Sequence, residues 1–307
     1  MSRYKITKLT DFFKKAIHEN LPNKTDNLRQ FIIKIAFLVC IVGIFCGGIH
    51  FSVYYSNSAH EQKLIEEQQL FFKNNSLKNS TKYLYEQNND YVAWLNIKGT
   101  SLNNAVYKTG NNSFYMTHNH LKKPSSYGAL CLDYRFDLSD KNAVIYGANI
   151  QNGLMFGTLE NLRELSFYKQ NSVITLTHKN SKTNYKIYAL FVLNSAKEQD
   201  NGKIYELYKK NFSSELSFNS WVEDAMTRSL IDTKVDVSFD DKILTLVTDC
   251  DDFEGARLVV MARSEREGET LSPINQHAVL NRNPRYPKKW YDVRNISYPF
   301  ENFKTKD

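Results

Sequence analysis

The residues best suited to chemistry lie together in K-I-L-T-L-V-T-D-C-D-D-F-E-G-A-R-L-V-V-M-A-R, over Lys242–Arg263. This stretch holds one thiol, Cys250, among Asp249, Asp251 and Asp252, followed by the guanidinium of Arg257. A cysteine attacks an acyl carbon only as thiolate, so it needs a base beside it and a cation or N–H donor for the oxyanion. Ile243, Leu244, Leu246 and Val247 form one β-prone run and Leu258–Met261 a second, which predicts two buried strands joined by an acidic turn containing Gly255. On such a hairpin Asp249 is placed to pair with Arg257 across the strands. Adjacent side chains on a strand point to opposite faces, so Cys250 is expected to face away from that pair unless a bulge turns it back.

The imidazoles available as a base in or after the globular part are His118, His120, His178 and His277. His118 and His120 form an H-x-H, which on a strand puts both rings on one face. The motif brings no third ligand, so solvated loop residues are expected and neither metal nor cofactor is predicted. Cys131 reads as a buried structural thiol; whether it pairs with Cys250 is left open, because sequence does not place the two β-carbons.

Several elements must position these groups. The chain has 307 residues with a net charge of +7, enough for one full core plus accessory segments. The charge permits anionic neighbours, but the basic residues are scattered and no nucleic-acid motif accompanies them, so no nucleic-acid partner is expected. Residues 1–34 are basic. Residues 35–55 are apolar and without formal charge, long enough for a single transmembrane helix, and the preceding Lys and Arg excess places the N-terminus in the cytoplasm and the C-terminal domain outside. A polar, partly helical stalk is expected over 56–89. Ser217 is a candidate N-cap for an amphipathic helix carrying Phe218, Trp221, Val222, Ala225, Met226 and Leu230. A basic, aromatic and largely irregular tail over 265–307 is a candidate surface for an anionic wall polymer or a partner.

The hairpin stretch resembles the end of the catalytic domain of class B sortases, membrane-anchored transpeptidases of Gram-positive bacteria. Their T-L-x-T-C, short loop and A-R-hydrophobic strand are matched at Thr245, Leu246, Thr248, Phe253, Ala256 and Arg257. In that ungapped register the nucleophile's position is Asp249, with Cys250 one residue late. Asn142–Leu159 is similar to the family's I-Y-G-H-N-x-x-[ND]-G-x-M-F, with Ala148 at the histidine position. Asp90–Val106 resembles the domain entry, with Ala105 in place of a proline, and Gly128–Arg135 the family's D-Y-R strand.

The resemblance implies an α+β fold, mainly β with helices: a sortase-like closed β-barrel over 90–264 on its single N-terminal anchor. It also implies a degenerate site, Ala148, Asp249 and Arg257, in a non-catalytic protein binding a sorting-signal peptide of Asn-Pro type, a pilin or another surface protein. The alternative is an active cysteine transpeptidase attaching surface proteins to the cell wall through Cys250 in a displaced site.

Overall fold

The structure is a computed structural model describing residues 20–196, 205–269, 271–272 and 274–300. Most of the basic N-terminal segment and the last residues of the tail lie outside the described residues. The chain divides into two compact units at Leu64/Ile65.

Helix α1 spans Leu28–Asn74. Its start is fixed by a reciprocal cap: the Gln30 N–H donates to Asn27 Oδ1 at 2.9 Å and the Asn27 N–H to Gln30 Oε1 at 3.1 Å. Within it Leu28–Ile49 is apolar over 22 residues and unburied, long enough at about 1.5 Å per residue to cross a bilayer. The Asn27 cap starts the helix at Leu28, ahead of the 35–55 segment read from sequence.

The second unit is built on a closed barrel of eight strands: β1 (Tyr91–Ile97), β2 (Asn103–Tyr107), β3 (Leu130–Leu132), β4 (Asn142–Tyr146), β5 (Val173–His178), β6 (Ser181–Asn194), β8 (Ile243–Asp249) and β9 (Ala256–Ser264). The order around it is β1-β2-β3-β4-β8-β9-β6-β5, with β5 closing on β1. β4 and β8 pair in parallel, and β8 and β9 antiparallel, so the two stretches singled out in sequence are neighbours in the wall. β7 (Ile231–Asp232) and β10 (Val279–Leu280) form a separate two-stranded ribbon. Closure leaves no bare strand edge in the barrel.

β8 is buried on both faces apart from Asp249, and β9 nearly so. After a short helix α4 (Leu165–Gln170), helix α5 (Glu215–Arg228) lies outside β6 and buries Phe218, Trp221, Val222 and Ala225. Phe218 and Val222 each contribute about 1.5–3 kcal/mol when fully buried. The N-cap of α5 is Ser214, not Ser217: its side chain accepts the Ser217 N–H, so Ser217 sits in the first turn as donor.

Two segments are more ordered than their composition suggests. In the region read as a stalk, helix α2 (Leu77–Gln87) buries Leu84, Ile65 joins the core, and Phe72 stacks on Trp94 with ring centroids 4.1 Å apart. These contacts come from sparse apolar residues too irregularly spaced to give a clear stripe. In the tail, β10 and a short helix α6 (Lys288–Asp292) form, Arg285 and Tyr291 are buried, and Tyr286 stacks on Trp290 at 4.1 Å.

Candidate functional site

Ala148, Asp249 and Arg257 stand together at one end of three adjacent strands. β4 pairs with β8 as far as Tyr146 opposite Val247, the Gly147 N–H continues the ladder to the Val247 carbonyl at 3.3 Å, and extending that register brings Ala148 level with Asp249. Asp249 lies directly opposite Arg257, and the two side chains form an ion pair. The loop after β4 is held in place by Asn149, whose Nδ2 donates to the Asp249 carbonyl at 3.1 Å, and by the Phe156 N–H donating to the Ala148 carbonyl at 2.9 Å. Gly147 admits no side chain: a Cβ there would meet Leu130 at 2.4 Å and the Phe156 ring at 2.7 Å. That close approach lets the Asn149–Phe156 loop fold down beside the strand.

A cleft of about 440 Å³ opens on this face, lined among others by Tyr146, Leu193, Tyr205, Tyr208, Val247 and Arg257. Its floor is the β4-β8-β9-β6 surface, and its wall is the segment around Tyr205–Lys209. The wall is anchored from two sides. Buried Asn142 donates to the carbonyls of Leu207 and Lys209, both at 3.2 Å, and accepts from Thr245 Oγ1 at 2.8 Å. Trp221 Nε1 donates to the Glu206 carbonyl at 2.9 Å.

Cys250 is one residue beyond Asp249 and its surroundings differ. It is buried, and its thiol bonds to the Asp252 carboxylate. Burial first, and then the Asp252 charge, push the thiol up to about 12. Burial would raise the Asp252 carboxyl, but Arg163, whose Nη2 donates to Asp252 Oδ2 at 2.7 Å, offsets this and holds it below the usual carboxylate range. The tail closes over the same carboxylate: Trp290 donates to it, and Arg294, stacked 4.1 Å over the Trp290 ring, donates to the Asp252 carbonyl at 3.3 Å.

The histidines stand elsewhere. His118 stacks on Phe114 with Nδ1 3.1 Å from the Phe114 carbonyl oxygen, and His178 Nδ1 lies 2.7 Å from that of Val92. Burial lowers His120 to about 4, and His277 is exposed. His118 and His120 follow a short helix, α3 (Phe114–Thr117), rather than lying along a strand, and among the described residues no group of three His, Cys, Asp or Glu is arranged to hold a metal ion. Cys131 and Cys250 are both free thiols. The sequence reading missed Tyr208, Arg163 and Trp290 as parts of the site, since loop and tail residues reach it only through the tertiary fold.

Fold and cleft together describe a protein of the sortase type, a closed barrel with a groove at the ends of β4, β8 and β9. No protein-family profile matches the chain. A cysteine-to-serine mutant form of Clostridium perfringens sortase B is 30% identical, with a TM-score of 0.56 over 62% of this chain and 88% of that one. Sortase B of Listeria monocytogenes is 24% identical over 77% of this chain and 98% of its own length. A Staphylococcus aureus sortase B-substrate complex is 24% identical with a TM-score of 0.61, covering 69% of this chain and 99% of that one. The chain belongs to the class B sortase family.

Proposed function

We propose that this is a membrane-anchored sortase B-like protein whose groove binds a sorting-signal peptide or a surface-assembly partner without cleaving it. The observation that carries the proposal is the Asp249–Arg257 ion pair at the mouth of the cleft. A carboxylate is a weak nucleophile toward an amide, and the anhydride it would form readily reverts. Its pairing with Arg257 also occupies the cation that would steady an oxyanion. At the family's histidine position Ala148 offers a methyl group, which moves no proton. Cys250 gains no support as a displaced nucleophile, because its thiol is held on Asp252, while His118 contacts Phe114 and His178 the Val92 carbonyl. The same reading places the protein in the cell membrane by one pass, N-terminus in the cytoplasm and barrel outside, within reach of a pilin, another surface protein or an anionic wall polymer.

The test is direct. The full-length protein in lipid nanodiscs is mixed with peptides of Asn-Pro sorting type, following binding by fluorescence anisotropy and cleavage by mass spectrometry. Saturable binding with no cleavage is expected, and the same result with Cys250→Ala. Cleavage that Cys250→Ala abolishes would reverse the proposal.

A further inference from the structure

The wall of the cleft carries a closed ring of polar contacts centred on Asp133. Asp133 is fully buried. Its Oδ1 accepts from Arg135 Nε and from the Arg135 backbone N–H, both at 2.9 Å. Its Oδ2 accepts from Arg135 Nη2 at 2.6 Å and Asn112 Nδ2 at 2.9 Å, and lies 3.2 Å from Tyr146 Oη. Tyr146 Oη in turn lies 3.0 Å from Tyr208 Oη, and the ring closes where the Arg135 guanidinium stacks 4.0 Å over the centre of the Tyr208 ring.

Hydrogen positions follow from the chemistry of the partners. Burial would raise Asp133, but the bidentate Arg135 contact offsets this and keeps its carboxyl below the usual range, so it is ionised near neutral pH. An ionised carboxylate only accepts. The single hydroxyl hydrogen of Tyr146 therefore goes to Asp133, and Tyr208, meeting an oxygen whose hydrogen is already committed, must donate to Tyr146. Both hydrogens run inward. What half-exposed Tyr208 leaves toward the cleft is oxygen lone pairs.

We infer that the Tyr146–Tyr208 wall is an acceptor edge, and that it selects a ligand strand presenting an amide N–H to it. The inference rests on the peptide-binding reading above and gives that reading an orientation. Arg257 lies two strands from Tyr146 in the β4-β8-β9 order and two residues further along the wall, about 12 Å away at strand spacing and rise. The N–H and C=O of one trans amide point in opposite directions, so an amide lying between them directs its N–H at Tyr208 and its carbonyl at Arg257. Asp133 and Arg135 are positioning residues here, acting through Tyr146 and Tyr208.

Two measurements on the full-length protein in nanodiscs test this. The first needs no ligand: hydroxyl exchange at Tyr208 is followed by NMR in protein labelled at tyrosine Cζ. Slow exchange is expected, rising roughly tenfold or more in Tyr146→Phe, which removes the acceptor and keeps the ring. Exchange unchanged by that substitution would overturn the hydrogen assignment. The second compares Asn-Pro-type peptides with copies N-methylated at one amide at a time. One methylation is expected to weaken binding roughly tenfold, and Tyr208→Phe to erase that difference. Methylated copies that all bind like the parent, or a sensitivity that survives in Tyr208→Phe, would overturn the acceptor edge. If no parent peptide binds, the peptide reading fails by itself, and hydroxyl exchange alone decides the polarity of the wall.

Discussion

Asp249 and Cys250 are neighbours in sequence and opposites in environment. Asp249 is 60% exposed at the mouth of a cleft, facing a guanidinium across a hairpin, whereas Cys250 is 6% exposed and joined to a carboxylate that two arginines and an indole surround. The difference is set by the pleat. A one-residue step along a strand exchanges the two faces of a sheet, and the regular pairing of β8 with β9 from Ile243–Arg263 to Asp249–Arg257 contains no bulge that would undo it. Chemistry in this fold therefore depends on which side chain occupies the outward position, more than on whether a thiol is near.

The sharpest way to break the comparison is to move the thiol by one residue. With Asp249→Cys in a Cys250→Ala background, the new sulfur faces the cleft beside Arg257 and should titrate near or below an ordinary thiol. Cys250 is held up at about 12. At pH 8 the thiolate populations then differ roughly a thousandfold. Iodoacetamide labelling resolved by peptide mass spectrometry should show that order of difference. Equal rates would mean that the two positions are not on opposite faces.

Asp252 is the next largest lever. Replacing it with alanine leaves Arg163 with Glu160 as its remaining carboxylate partner and removes the group that Trp290 and Cys250 bond. Losing these charge-assisted hydrogen bonds while Arg163 keeps Glu160 costs about 2 kcal/mol, read as a lower urea midpoint. Cys250 should become easier to alkylate in the same variant. An unchanged midpoint would show that the tail and the turn do not depend on each other.

These contrasts also show what the sequence carried. The hairpin and the Asp249–Arg257 facing were legible because β-prone runs, a two-residue side-chain period and an acidic turn with Gly255 lie within one continuous stretch. The parallel pairing of β4 with β8 could not be read from periodicity, since nearly a hundred residues separate the strands; only the family's motifs placed Ala148 beside Asp249. The surroundings of Cys250 were illegible, because Arg163 and Trp290 reach it from a short helical turn and from a tail whose prolines and charges suggest loose chain. The cap of α5 was misplaced by three residues. Ser213, Ser214, Ser217 and Ser220 are all plausible by composition, and only the bond geometry selects Ser214.

Histidine extends the comparison to pH. His120, lowered by burial to about 4 against an unfolded value near 6.5, favours its neutral form when folded. Its contribution is fully present above 6.5 and is lost as pH falls from there toward 4, amounting to about 2 kcal/mol by pH 5. Urea unfolding at pH 8 and pH 5 should show this loss in the wild type and much less of it in His120→Gln. A loss of equal size in both would assign the pH dependence to other groups.

The smallest effect is the most telling about the groove. Asp249→Asn keeps the shape at the outward position and removes the charge facing Arg257. Because that pair is open to solvent and screened, the change should alter stability by less than about 1 kcal/mol. The guanidinium it releases regains hydrogen-bonding capacity toward the cleft, so a ligand carbonyl or carboxylate should bind more tightly even though the fold is scarcely disturbed. Anisotropy titrations of Asn-Pro-type peptides against wild type and Asp249→Asn, with urea midpoints on the same preparations, separate the two quantities. Weaker binding with unchanged stability would instead make Asp249 a direct contact for the ligand, and the outward carboxylate would then be part of the recognition surface rather than a partner that occupies Arg257.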